Sequence, residues 1–121
     1  MKTIISIFSL LVIMNYLQAQ SMENPGTPEE RAEKMTQKME EDLPLRPEQV
    51  SVIQALNLKY ARMIQTEVFD KKLNKWSTYN KSMKINNQKE KELKPLLSDS
   101  QWKNYEKLKS EAINKAWSQI F

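Results

Sequence analysis

The sequence has no cysteine, no histidine and one glycine among its 121 residues. Without cysteine there is no disulfide framework. Without cysteine and histidine together there is no zinc site of the usual nitrogen and sulfur ligands. Nucleophilic chemistry through a thiol, or base catalysis through an imidazole, is excluded on the same ground. A single glycine, Gly26, rules out the glycine-rich turns that cradle phosphates and dinucleotides. No cofactor and no metal are expected. Scarce glycine beside plentiful Lys, Glu, Gln, Leu and Met predicts an all-α protein. The length allows one small domain.

Long hydrophobic runs are equally scarce. The one that stands out is Ile4–Met14, broken only by Ser6 and Ser9 and preceded by Lys2. As a helix it would span roughly 16 Å, about half of a bilayer's hydrocarbon core. That is the length of a signal-peptide apolar region rather than of an anchor, and Ala19 fits the small residue before a cleavage site. The expected organisation is a signal peptide over 1–19, a flexible leader over 20–26 and a single helical domain over 27–121. No stable membrane insertion is expected after cleavage. Residues 20–48 carry four basic and eight acidic side chains, and residues 49–121 fourteen and seven. An acidic arm beside a basic body predicts intramolecular pairing with basic surface left over. Export argues against nucleic acid as the partner of that surface.

Prolines divide the remaining chain. Thr27-Pro28-Glu29-Glu30 reads as a helix start, with Thr27 as cap, Pro28 in the first turn and Glu30 reaching back. Ala32, Met35, Met39 and Leu43 then form a narrow apolar stripe. Pro44 and Pro47 interrupt the chain, and a second helix begins at Pro47. Val50, Val52, Ile53, Leu56, Tyr60, Met63, Ile64 and Val68 share an arc of about 160°. Phe69 shifts the phase, and Leu73, Trp76, Tyr79 and Met83 define a new stripe with Lys71, Lys75, Lys81 and Lys89 facing away. This predicts a break near Val68–Asp70. The alternative is one helix from 47 to 94, roughly 70 Å long and in need of a partner chain. A last helix starts near Asp99 and carries a broad apolar face from Trp102 to Ile120. Acid-to-base pairs at Glu30–Lys34, Glu67–Lys71, Glu90–Lys94, Asp99–Lys103 and Glu111–Lys115 are read as solvated helix faces worth a few tenths of a kcal/mol each.

The most informative feature is a repeated helix start. Leu45-Arg46-Pro47-Glu48-Gln49 and Leu97-Ser98-Asp99-Ser100-Gln101 are the same device, and each follows a proline, Pro44 or Pro95. In the second copy Ser98 caps the first turn, Gln101 reaches back to the cap N–H, and Leu97 packs on Trp102. The first copy keeps Gln49 and the apolar pair Leu45 and Val50. It has Arg46 at the cap, and a guanidinium accepts no hydrogen bond. If the helices run antiparallel, Leu45, Gln49, Leu97 and Gln101 become neighbours. They then serve either to close the bundle or to touch a client.

These motifs resemble those of the Spy/CpxP-like family of periplasmic stress proteins, marked by a twice-used Leu-Thr-x-x-Gln. The first copy has Arg46 in place of Thr, and the second has Ser98. An acidic leading helix (Arg31 to Met35), a basic middle, the Lys91-Glu92-Leu93-Lys94 run and Tyr105 after the second copy extend the resemblance over residues 27–112. It implies a small helical hairpin or bundle of about four helices, often a cradle-like homodimer. It also implies an ATP-independent periplasmic chaperone for unfolded or misfolded envelope proteins. The alternative is a regulatory module that interacts with an envelope stress sensor.

No enzyme is expected. Glu40, Glu41 and Asp42 are adjacent, so on a helix their carboxylates point apart and form no acid–base pair. Candidate client-contact residues are Leu58, Ile85 on the lysine face of the third helix, and the Ile120–Phe121 end. Met22, Met35, Met39, Met63 and Met83 show the spacing of core residues rather than of a metal site.

Overall fold

The computed structural model describes residues 26–120. The expected signal peptide over 1–19 and most of the expected leader therefore lie outside the described residues. Four helices follow one another: α1 (Pro28–Asp42), α2 (Pro47–Glu67), α3 (Lys75–Leu93) and α4 (Asp99–Ile120). Short 3-10 turns at Phe69–Lys71 and Lys94–Leu96 precede α3 and α4. No strand occurs among the described residues, and the protein is a small all-α bundle.

Local chemistry explains each boundary. Thr27 Oγ1 accepts from the Glu30 N–H at 3.1 Å, and the Thr27 N–H donates to Glu30 Oε1 at 2.9 Å. Both otherwise orphaned amides of the α1 start are thereby satisfied. Gly26 is held at φ +83°, and a Cβ there would meet Glu30 Oε1 at 3.3 Å. The backbone turn into α1 thus requires glycine. The break after α2 comes where the phase shift predicts it, so residues 47–94 form two helices. Neither glycine nor proline makes it. Lys72 adopts the left-handed conformation, and Asn74 caps α3 by accepting from the Ser77 N–H at 2.8 Å. An uncapped amide in that first turn would have to find water instead.

The core gathers the predicted stripe of α1, with Ala32, Met35, Met39 and Leu43, against Ile53, Leu56, Tyr60, Ile64 and Val68 around α2. Each fully buried side chain of this size contributes about 1.5–3 kcal/mol. Val52, expected within the apolar arc, is 48% exposed. It sits at the edge of that arc, beyond the reach of the packed neighbours.

Helix α3 is rotated from expectation. Its buried face is Thr78, Ser82, Ile85, Asn86, Lys89 and Leu93. Of the predicted stripe, Leu73 and Trp76 are exposed, while Tyr79 and Met83 are half-buried at the core's margin. Ile85 was expected on an outward lysine face but is 3% exposed. The reason is geometric: Ile85, Lys89 and Leu93 are spaced by four and share one side of a helix. Burying the two aliphatic residues carries Lys89 inward with them. Its ammonium meets Met35 Sδ at 2.8 Å, a weak acceptor. Burial drives its pKa down to about 8, against the opposing pull of Glu90.

A second buried cation lies on the neighbouring helix. Arg31, 2% exposed, donates to the carbonyls of Gly26 and Ala61 and to Gln65 Oε1. Its guanidinium stacks over Phe69 at 4.6 Å. Desolvation lowers its pKa, but planar donors shared among oxygens keep such a group tolerable inside a protein. Between Arg31 and Lys89 lies a small cavity of about 10 Å³, lined by Asn57 and Ser82 as well as by Met35 and Ile85.

The charged side chains do not form the expected helix-surface ladder. Glu67 pairs with Lys81 rather than Lys71, and Glu90 with Lys109 rather than Lys94. Glu30 is held by the cap. Arg62–Glu29 joins α2 to α1, and Lys59–Glu92 joins α2 to α3. Asp99–Lys103 and Glu111–Lys115 do not close as ion pairs. A carboxylate within reach of a neighbouring helix also accepts from its hydroxyls, as Glu90 does from Tyr105 and Glu92 from Tyr60.

Lys89 generates a test. An amine at about 8 in the fold, against its ordinary 10.5, weakens the fold fully below pH 8. That penalty is relieved as pH rises toward 10.5. The raised tyrosines, Tyr60 at about 12 and Tyr105 above its ordinary value, act in the opposite sense above about pH 10. Lys89→Met should stabilise the protein by roughly 1–3 kcal/mol at pH 7. Over pH 8–10 the variant should also lose the stability gain that wild type shows. Thermal melts across that range check both, and a Lys89→Met melt below wild type at pH 7 contradicts them.

Candidate functional site

The two helix starts meet. α1 and α2 run antiparallel, with Arg31 at Ala61 and Thr36 at Asn57, and so do α2 and α3, with Glu92 at Lys59 and Lys81 at Glu67; the starts of α2 and α4 lie at the same end. Gln49 Nε2 donates to Gln101 Oε1 at 2.7 Å, and Gln101 Nε2 donates to Gln49 Oε1 at 3.0 Å. The side chains are 6% and 8% exposed. Each oxygen also accepts from its own cap: the Arg46 N–H to Gln49 and the Ser98 N–H to Gln101, both at 2.8 Å. Each nitrogen also donates to the loop before the other motif, Gln49 to the Leu96 carbonyl at 2.9 Å and Gln101 to the Leu43 carbonyl at 3.2 Å. Two primary amides thereby fill all of their donor and acceptor positions. Leu45 and Leu97 are buried beside them, and Val50 and Trp102 pack onto the same cluster.

The structure thus brings Leu45, Gln49, Leu97 and Gln101 together. Their amides and aliphatic side chains face inward, which leaves nothing on them for a ligand to bind. Arg46 and Ser98 stay at the surface. Ser98 Oγ accepts from the Gln101 N–H at 3.2 Å, completing its cap. The Arg46 side chain makes no cap bond and turns instead to Glu48 at 2.7 Å. Trp102 stacks on Tyr105 with ring centroids 5.1 Å apart, and the Lys94 ammonium lies over its ring.

The candidate contact residues scatter. Leu58 is half-buried on α2, and Ile85 is internal. The side chain of Ile120 and the whole of Phe121 lie outside the described residues. Among the described residues no group of three acidic side chains is placed to hold a metal ion. No described helix is long and apolar enough to cross a membrane. The motif spacing led to the neighbourhood of the two glutamines but not to their reciprocal bonds. The buried cations Arg31 and Lys89 were missed. For Lys89, the four-residue spacing of Ile85 and Leu93 around it was the available signal.

A family model matches residues 17–105, a span that contains both motifs and the whole of α1 to α3. The chain belongs to the DUF4890 family. That family is described as a domain of unknown function. Neither a search of curated proteins nor one of solved structures finds a match. Within the DUF4890 match, both glutamines and both preceding leucines fall inside the shared region, and most of α4 lies beyond it.

Two substitutions test the joint. Arg46→Thr supplies the missing acceptor at the α2 cap and forgoes only an exposed ion pair, so it should stabilise the protein by about 1 kcal/mol. An unchanged or lowered melting temperature would defeat that cap assignment. Gln49→Ala and Gln101→Ala each strand the partner amide, so each should cost roughly 1–3 kcal/mol. The double variant should lose clearly less than the sum. Denaturant titrations of the four proteins measure this coupling, and strictly additive losses would show that the amides act separately.

Proposed function

We propose that this DUF4890 chain is an exported, ATP-independent chaperone-like protein of the periplasm that holds unfolded or stressed envelope proteins. The observation that carries the reading is the meeting of two copies of one helix-start motif in a single buried joint. A twice-used leucine and glutamine start is the hallmark through which the sequence resembles the Spy/CpxP-like family. A shared structural joint accounts for why both copies are present in one small chain. The motif residues hold the scaffold, and binding falls to its surface.

That surface is basic and intermittently apolar. Lys81 and Lys84 flank the outer side of α3, while Val52 is exposed and Leu58 half-buried on α2. Cations attract unfolded segments over roughly 8–10 Å at physiological salt. Scattered apolar side chains then hold exposed client residues weakly. Release needs no nucleotide cycle when the bound state is only slightly favoured. A homodimer would enlarge the same surface, and light scattering on the purified protein reads its mass directly.

The test is aggregation of an unrelated denatured protein, followed by light scattering without ATP. The exported chain should suppress it at near-stoichiometric ratios, and suppression should fall as salt rises. Failure to suppress, together with tight binding to one envelope sensor, would replace this reading with the regulatory one. Suppression indifferent to salt would remove the basic surface from the mechanism.

A further inference from the structure

The turn between α2 and α3 has a character of its own. Residues 71–76 read Lys-Lys-Leu-Asn-Lys-Trp, and all six are exposed. Trp76 is 69% exposed, the most open of the large apolar side chains among the described residues, and Leu73 is 37% exposed. Trp76 is not loose: its ring stacks on Tyr79 with centroids 6.3 Å apart and planes at 26°. Asn74 is committed to capping α3, and left-handed Lys72 turns the chain at the tip. The turn closes the bundle at the far end of α2 from the glutamine joint, about 30 Å away.

We propose that this turn docks the protein on an anionic phospholipid surface. Three lysines stand within six residues, against Glu67 and Asp70 on the preceding side; Glu67 is paired with Lys81 at 3.0 Å, and Asp70 is engaged by the Gln65 amide at 2.8 Å. Lysine stems reach along an apolar boundary while their ammonium groups meet lipid phosphates. Tryptophan suits the same boundary, with an apolar ring and one polar N–H. Beside the turn lies an open depression of about 680 Å³ lined by Lys71, Leu73 and Lys84, together with Glu67 and its partner Lys81, and Lys84 adds a further cation there. The protruding turn favours a broad surface over a polypeptide, since Leu73 and Trp76 lie on its outside rather than along a groove. Gly26 sits at this end too, bonded to Arg31, whose guanidinium covers Phe69.

Flotation with vesicles tests this on the protein as recovered after export. Vesicles of phosphatidylcholine alone should bind little, and vesicles containing phosphatidylglycerol should bind well. Leu73→Ser with Trp76→Ser should lower the partition coefficient about tenfold. Lys71→Gln, Lys72→Asn and Lys75→Gln together should lower it about a hundredfold and remove the dependence on anionic lipid. Asparagine is chosen at Lys72 because it tolerates the left-handed backbone. All of these positions are exposed, and unchanged melting curves would show that the variants fold. The proposal is overturned if anionic vesicles do not bind, or if the Leu73 and Trp76 changes leave binding intact. Saturable binding of an acidic peptide to the turn without vesicle binding would also overturn it and assign the surface to polypeptide.

Discussion

Two buried amides set the geometry of this protein. Gln49 and Gln101 each finish a helix start and each complete the other, so the first turns of α2 and α4 lie side by side in one register. A buried primary amide without partners is costly. Displacing either helix would open bonds to a cap N–H, to the other glutamine and to a loop carbonyl together. The tight turns before both starts, the buried Leu45 and Leu97, and the antiparallel course of α3 between them all follow from holding that joint closed. Its near two-fold pattern is also what makes the sequence look duplicated: each copy bonds the loop preceding the other.

The interior around α3 shows what this arrangement costs. Leu93 leads directly into the joint, and with Ile85 it fixes which side of α3 turns inward. Lys89 lies between them and is buried with a thioether as its partner, while Arg31 is buried among carbonyls and an aromatic ring. Neither cation has a buried carboxylate beside it. The carboxylates sit at the edges, where Glu90 and Glu92 join tyrosines and lysines of neighbouring helices. The bundle is therefore tied by polar groups at its seams as much as by its apolar stripe. A small domain without disulfides has few other means of holding its helices in place.

This economy bears on function. Side chains that would ordinarily serve recognition are engaged in the scaffold: the motif amides in the joint, and Glu90 and Glu92 in the seams. What is left at the surface is charge of both signs and a few isolated apolar residues. The rotation of α3 sharpens this by leaving Leu73 and Trp76 outside, next to the lysines of the α2–α3 turn. Charge is thereby separated along the bundle. Glu40 and Glu41 lie exposed toward the joint end, and Lys71, Lys72 and Lys75 at the other.

Helix boundaries were legible because they are local events. Thr27 with Glu30, and Ser98 with Gln101, act over three residues, and each did so as its spacing implies. The stripe of α1 was legible too, since Ala32, Met35, Met39 and Leu43 leave only one face to bury. The inward face of α3 was not. Its aromatic residues outline one stripe and its aliphatic residues another, and the helix alone has no means of choosing. Nor could spacing say whether Glu67 and Glu90 would pair along their own helix or across to the next. The chain by itself determined where helices start and stop, because a cap needs only neighbours in sequence. Rotation, the exchange of ion-pair partners and the union of the two glutamines were decided by tertiary structure, because each depends on groups that only packing brings within hydrogen-bond reach.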